Sequence, residues 1–141
     1  MKKIAVVYYS MTGNTEAMAE AVREGIEAGG AEGILFTSTD FSADLLGDYN
    51  AIAFGCPAMG NEELEDTEFE PLFAACEQKL GNKPIALFGS YEWADGQWMR
   101  DWEERCKDLN LNVLATTIAY DHPDDAAQEA CRSLGRTLAQ A

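Results

Sequence analysis

Two hydrophobic patterns alternate along this chain. Short unbroken apolar runs rich in β-branched and aromatic residues, such as residues 4–9, are typical of strands buried on both faces of a sheet. Segments with apolar residues at helical spacing follow these runs, and the first of them stops at Gly29 and Gly30. The patterns predict strands over residues 4–9, 33–38, 49–55, 84–90 and 111–119, and helices over residues 14–28, 42–46 (capped by Ser42), 68–80, 95–109 and 123–140.

This alternation predicts the fold class. Strands that alternate with helices favour an α/β protein with a parallel sheet and helices on both faces, and right-handed crossovers make that sheet doubly wound. A length of 141 residues fits a single domain over residues 1–141. In such folds ligands bind beyond the carboxyl ends of the strands, where the winding direction reverses. We therefore expect the site in the segments that follow the first, third and fourth strands.

The segment between the first strand and the first helix carries an unusual density of hydroxyl and amide side chains. A helix N-terminus favours an anion, and one capping residue would account for only one such side chain. A nucleoside-triphosphate loop needs a lysine, but no Lys or Arg lies between Lys3 and Arg23, and no GxGxxG dinucleotide motif is present. The segment therefore predicts a neutral site for one terminal phosphate, formed by Ser10, Met11, Thr12, Gly13, Asn14 and Thr15.

The charge, the first apolar run and the cysteines limit the partners, the location and the metal content that we expect. A net charge of −15 disfavours nucleic acids and anionic membranes, and leaves open whether the acidity serves solubility or docking to basic proteins. The first apolar run is too short for a signal peptide, so we expect a soluble, cytoplasmic protein. Wide spacing and a single histidine argue against a metal site, and we expect free, buried thiols at Cys56, Cys76, Cys106 and Cys131.

Three segments resemble the flavodoxin family. "SMTGNTE" resembles the flavodoxin phosphate loop, usually written (S/T)xTGNT, and directly follows the first strand. "CPAMGNEELEDTEFEP" and "ALFGSYEWADGQWMRDWEER" resemble the two flavin loops of the short-chain flavodoxins of anaerobic bacteria. The resemblance covers essentially the whole chain. It implies a flavodoxin-like sheet of order 2-1-3-4-5, non-covalent FMN, and an electron carrier between redox proteins, not an enzyme. The acidity of the chain predicts that this carrier is a monomer.

The resemblance also implies where the flavin ring lies. It assigns Met59 to the inner face of the ring, Trp93 to the outer face, and Glu62 to flavin N3–H. Trp98 and Trp102 read as core residues, and His122 as a surface residue away from the site. The implied contacts of the two flavin loops are Ala58, Met59, Gly60, Asn61 and Glu62, followed by Ser90, Tyr91, Glu92, Trp93, Ala94, Asp95 and Gly96.

The turn at Gly60 and Asn61 suggests a redox-linked switch. Gly and Asn both tolerate positive φ, so the peptide between them can flip at little cost and turn its carbonyl toward a protonated flavin N5. Such a flip would stabilise the semiquinone. Close relatives usually carry Asp at the position of Asn61 and Gly at those of Glu92 and Ala94, so this chain departs from the family pattern near N5 and in the loop implied to contact the flavin pyrimidine.

Five carboxylates near the site predict a low reduction potential. A fixed carboxylate about 10 Å away, at an effective dielectric of about 40, opposes a further negative charge by roughly 0.8 kcal/mol, or about 35 mV. The sequence therefore favours a one-electron carrier that works between semiquinone and hydroquinone. The carboxylates are those of Glu62, Glu63, Glu65, Asp66 and Asp95.

Three alternatives remain at this point. A quinone or NAD(P)H reductase of the same fold would need basic residues for a pyridine nucleotide, and none lies near the loops. A signalling receiver domain would need an Asp at the end of the third strand, where this chain has "FGCP". A flavin-binding storage module without a redox partner is distinguished only by electron-transfer kinetics.

Overall fold

The computed structural model describes residues 1–60, 62–92 and 95–141. Its strands are β1 (Lys3–Tyr8), β2 (Glu32–Thr37), β3 (Ala51–Gly55), β4 (Pro84–Tyr91) and β5 (Asn112–Tyr120). Its α-helices are α1 (Asn14–Ala28), α2 (Phe69–Glu77), α3 (Gln97–Asp108) and α4 (Asp125–Ala139), and a 3-10 helix covers Ala43–Asp48.

All five strands form one parallel sheet in the order β2-β1-β3-β4-β5. This order confirms the predicted doubly wound fold. The winding reverses between β1 and β3, which places the expected ligand position at the carboxyl ends of these two strands and of β4.

Residues that alternate along each strand divide the core into two layers. In β1, Ile4 and Val6 face α1 and α4, whereas Ala5 and Val7 face the 3-10 helix, α2 and α3. The second layer is strongly aromatic, and Trp102 contacts Phe69 and Phe73 edge-on at 5.5 and 5.4 Å between ring centroids. Both faces of the sheet are thus covered, as a parallel sheet with apolar strands requires.

The helices predicted over residues 42–46 and 68–80 differ from those observed. The first is a 3-10 helix, with a bond from Leu45 N–H to the Ser42 carbonyl, and the Ser42 side chain makes no capping bond. The second is shorter at both ends, since α2 covers residues 69–77. The Lys79 N–H bonds to the Cys76 carbonyl in a tighter turn, which ends α2 before Leu80.

The four cysteines are buried free thiols, as predicted. Burial raises the pKa of Cys76 to about 11 and those of Cys56, Cys106 and Cys131 to about 12. These thiols therefore stay protonated at neutral pH. Within the described part of the chain, no helix combines the length and apolar character needed to cross a membrane.

Candidate functional site

A cavity of about 290 Å³ lies at the carboxyl ends of β1, β3 and β4. It brings together residues of all three segments that the sequence had singled out, because parallel strands end at one edge of the sheet. Pro57, which the sequence analysis did not include, also lines it. The lining residues are Met11, Thr12, Pro57, Ala58, Met59, Gly60, Ser90, Tyr91 and Glu92.

The loop before α1 forms a compact turn around the Ser10 hydroxyl. Ser10 Oγ accepts hydrogen bonds from the N–H groups of Gly13 at 3.1 Å and Glu16 at 3.3 Å. Gly13 has φ of +90°, a conformation that favours glycine, and directly precedes α1. The N–H groups of Asn14 and Thr15 belong to the first helical turn, which has no intrahelical acceptors for them. Neutral donors therefore converge at this helix N-terminus, where an anion is favoured.

Hydrogen bonds join the first and second loops to the end of β4. Thr15 Oγ1 and Ser90 Oγ are 3.4 Å apart, and both residues are buried. The Ala58 N–H donates to the Ser90 carbonyl at 2.9 Å. Ser90, next to the last residue of β4, thus contacts the start of α1 through its hydroxyl and the second loop through its carbonyl.

The second loop is a tight hairpin around Gly60. The Glu62 N–H donates to the Met59 carbonyl at 2.8 Å, and the Met59 N–H donates to the Glu63 carbonyl at 3.1 Å. Glu62 follows the turn with φ of +57°, which is unusual for a residue with a long side chain. No atom lies within 4 Å of a Cβ built at Gly60. The predicted switch partner Asn61 lies outside the described residues.

The Glu62 carboxylate is buried, and neither of its oxygens has a hydrogen-bond partner within the described residues. Its side chain lines a second cavity of about 210 Å³, together with Trp98, Trp102 and Arg105 among others. A buried acceptor without a donor is costly in a folded protein. Such an acceptor fits a ligand that presents an N–H group.

The Glu65 carboxylate is also buried, but it accepts several hydrogen bonds. The N–H groups of Thr67, Glu68 and Phe69 donate to it at 2.8, 2.7 and 2.9 Å, and the Thr67 hydroxyl donates as well. Burial alone would raise the pKa of Glu65, but these bonds lower it to about 2. Glu65 therefore carries a fixed negative charge and caps the N-terminus of α2.

The third loop is described only at its two ends. Tyr91 lies 5.5 Å from Tyr120, measured between ring centroids, and Glu92 is exposed. Gly96 has φ of +91° and directly precedes α3, while the Asp95 carboxylate pairs with Arg100 at 2.8 Å. The predicted contacts Trp93 and Ala94 lie outside the described residues.

A buried tryptophan supports the second loop from below. Trp98 Nε1–H donates to the Cys56 carbonyl at 3.2 Å, which fixes the chain just before Pro57. A Cβ at Gly89 would lie 2.1 Å from that same carbonyl oxygen. Trp98 and Trp102 are core residues, as predicted.

A fourth segment, the turn between β5 and α4, also meets the site. His122 Nδ1 lies 3.3 Å from Asn14 Oδ1, and Asn14 Nδ2 lies 3.3 Å from Asp121 Oδ1. The prediction that His122 lies away from the site is therefore wrong, although the residue is exposed. Local sequence carries no signal for this contact, because 108 positions separate the two residues.

The whole chain resembles known flavodoxins. The family model described as "Flavodoxin" matches residues 6–135. The chain belongs to the flavodoxin family. A flavodoxin of Megasphaera elsdenii is 41% identical over 98% of this chain and 99% of its own length, and one of Clostridium beijerinckii is 40% identical over 95% and 97%. The solution structure of the two-electron reduced M. elsdenii flavodoxin superposes with a TM-score of 0.90 at 41% identity, covering 98% of this chain and 99% of that one.

Membership of this family establishes the predicted cofactor and activity. Flavodoxins bind FMN and transfer electrons, and they are not enzymes. The residues described above fit this cofactor. The helix N-terminus offers neutral donors for its phosphate, and the cavity lies at the switch point. Glu62, in contrast, lines the second cavity and not this one. The receiver and reductase alternatives are not favoured by these relatives.

Proposed function

We propose that a single domain over residues 1–141 holds FMN non-covalently and acts as a low-potential, one-electron carrier between redox proteins. The carrying observation is the cavity at the carboxyl ends of β1, β3 and β4, which borders a neutral phosphate loop. When bound, FMN supplies the group that accepts and releases electrons. The protein's residues bind that group, orient it and set its potential.

The phosphate is assigned to the loop at Ser10–Thr15. Hydroxyl and backbone N–H groups hold it there without a lysine or arginine of the loop. Ser10 Oγ accepts hydrogen bonds from the N–H groups of Gly13 and Glu16, and these bonds order the turn before the phosphate binds. Preorganised donors lower the entropic cost of binding.

The ring is assigned to the second and third loops. Met59 and Tyr91 line the cavity, and the predicted outer-face residue Trp93 follows Tyr91 in sequence. The buried Glu62 carboxylate supports the proposal that this residue accepts a hydrogen bond from flavin N3–H. The αL conformation of Glu62 costs free energy, and a bond to the cofactor would offset that cost.

The carboxylates around the site support a low reduction potential of the bound flavin, although one of the five is paired with an arginine. Glu65 remains ionised at neutral pH because of its hydrogen bonds, and Glu63 and Asp66 are exposed. Asp95 instead pairs with Arg100, which offsets its charge. Each unpaired carboxylate disfavours a further negative charge on the flavin, and salt screens the exposed ones.

The net charge of −15 supports partners with basic docking surfaces. A chain of this charge repels copies of itself, which favours a monomer. The free thiols support a cytoplasmic location.

A dithionite titration at neutral pH, followed by visible absorption of the FMN complex, tests the function. The expected result is two separate one-electron steps, with a blue intermediate and a second potential below that of free FMN. A single two-electron step would favour the reductase alternative. Failure to bind FMN would contradict the site itself.

The same titration tests the turn when it is repeated with Gly60→Val. A β-branched residue stiffens the turn, so the amount of one-electron-reduced flavin should fall by at least about tenfold, which corresponds to about 1.4 kcal/mol. Gly47→Val is the matched control, because Gly47 also has an open Cβ position and no positive φ. An undiminished one-electron state in Gly60→Val would overturn the switch.

A further inference from the structure

The turn between β5 and α4 holds the side chain of a phosphate-loop residue. Asn14 is buried at the first position of α1, with its amide between Asp121 and His122. The turn is itself tied to the end of β4, since the Asp121 N–H donates to the Tyr91 carbonyl at 2.6 Å. Asp121 has φ of +56°, which directs the chain into this contact. The phosphate loop is thus supported from a segment that belongs to none of the three cofactor loops.

The two contacts determine which atoms carry hydrogen. A carboxylate only accepts, so the Asn14 amide must turn its NH₂ group to Asp121. The Asn14 carbonyl oxygen then faces His122, and an oxygen of this kind also only accepts. His122 Nδ1 must therefore donate. The neutral Nδ1–H tautomer and the protonated imidazolium both provide that donor, so the contact persists when His122 gains a proton at Nε2.

We propose that Asp121 and His122 are positioning residues of the FMN phosphate site, and that His122 also supplies the cation that the phosphate loop lacks. This proposal rests on the assignment of the phosphate to residues 10–15. In the neutral form, His122 orients the Asn14 side chain at the helix N-terminus. In the protonated form, it keeps that contact and adds a positive charge beside the phosphate. Relative to a variant that cannot gain this proton, the parent protein should then bind FMN more tightly at acidic pH.

The other charged groups near His122 are carboxylates. Asp121, Asp124 and Asp125 lie on its own segment, and Glu16 lies on α1, which Asn14 begins. Glu92 follows Tyr91, the residue that bonds to Asp121. Among the described residues 10–18, 88–92 and 116–128, which carry no Lys or Arg, a protonated His122 is the one cation available to the phosphate.

The test compares FMN and riboflavin binding to the apoprotein by quenching of flavin fluorescence. Riboflavin lacks the phosphate, so the Kd of riboflavin divided by the Kd of FMN reports the phosphate contribution alone. The variants are His122→Asn, whose amide retains a donor close to the position of Nδ1, and His122→Ala, which removes it. All three proteins are measured at pH 8.0 and pH 5.5.

At pH 8.0 we expect the ratio for His122→Ala to fall by about threefold to tenfold, while His122→Asn stays within about twofold of the parent protein. At pH 5.5 this ratio should be about threefold to tenfold larger for the parent protein than for His122→Asn, because an asparagine cannot gain a positive charge. Protonation of the FMN phosphate itself is common to both proteins and cancels in this comparison.

The outcomes separate this proposal from the one it rests on. If the parent protein bound FMN no more tightly than riboflavin, the phosphate assignment would fail. If a large phosphate contribution remained unchanged in both variants and at both pH values, the assignment would stand and the role of His122 would be refuted. Full affinity in His122→Ala at pH 8.0, with a pH effect in the parent protein, would refute the positioning role alone.

Discussion

Glu62 and Glu65 are neighbouring buried carboxylates with opposite hydrogen-bonding states. Glu65 accepts bonds from three backbone N–H groups and one hydroxyl, whereas the Glu62 oxygens have no partner within the described residues. The chain thus satisfies one carboxylate internally and leaves the other without a partner among the described residues. Spacing alone does not distinguish them, because the difference depends on where α2 begins.

Glu65→Gln should destabilise the apoprotein at pH 7. An amide would turn an NH₂ group toward N–H donors, and the pKa of about 2 implies that ionisation contributes about 3 kcal/mol there. Because the pKa in the folded state is lower than in the unfolded chain, this contribution is complete above about pH 5 and is lost as the pH falls toward 2. Urea unfolding followed by circular dichroism at pH 7, 5 and 3.5 measures it.

The control for this prediction is Glu63→Gln, which removes one charge from an exposed neighbour. It should change the free energy of unfolding by less than about 0.5 kcal/mol. An equal loss in both variants at every pH would contradict the capping role of Glu65.

At the scale of elements, α1 and α4 approach so closely that glycines are required. A Cβ at Gly135 would lie 2.1 Å from the Val22 carbonyl oxygen, and a Cβ at Gly25 would lie 1.9 Å from that of Arg132. The backbone of each helix therefore rests on a glycine of the other. The periodicity of the sequence predicted both helices but not this crossing.

Gly135→Ala should lower the free energy of unfolding by about 1–3 kcal/mol, because the helices must separate to admit the methyl group. Gly47→Ala is the matched control, since nothing lies within 4 Å of its Cβ position, and it should be neutral or slightly stabilising. Thermal and urea unfolding measure both variants. A Gly135→Ala protein as stable as the parent would show that the crossing tolerates an added methyl group.

The hydrophobic pattern predicted the strands better than it predicted the type and ends of the short helices. Unbroken runs such as residues 84–90 predicted the central strands because both faces of the sheet are covered. The short helix predicted over residues 42–46 is a 3-10 helix whose Ser42 makes no side-chain cap, and a run this short does not distinguish the two helix types. The end of α2 was misplaced because a turn at Cys76 and Lys79, and not a change in hydrophobicity, ends it.

For the molecule as a whole, the charge of −15 should govern encounters with partners. The rate constant for electron transfer from the reduced protein to a basic haem protein should fall by at least about tenfold between about 20 and 200 mM salt. Stopped-flow absorption measures this rate, and an uncharged quinone as acceptor is the control. A rate to the basic acceptor that is independent of salt would contradict electrostatic docking.

The site as a whole was only partly predictable. The three cofactor loops follow strands whose order the fold class implies, so their convergence could be predicted from sequence. The contact of His122 with Asn14 joins the β5–α4 turn to the start of α1, and only the assembled sheet brings them together. The side-chain direction of Glu62 likewise depends on its positive φ, which no residue preference predicts.

The glycine crossing of α1 and α4 also bears on how the protein is made. The face of the sheet that packs against α1 and α4 remains partly exposed on the ribosome until residues 125–139 have left the exit tunnel, because α1 alone does not cover it. The nascent chain must therefore carry exposed apolar surface through most of its synthesis, and its final fold forms only as α4 docks. Translation speed over α4, and chaperone access before it, should therefore affect the yield of folded protein.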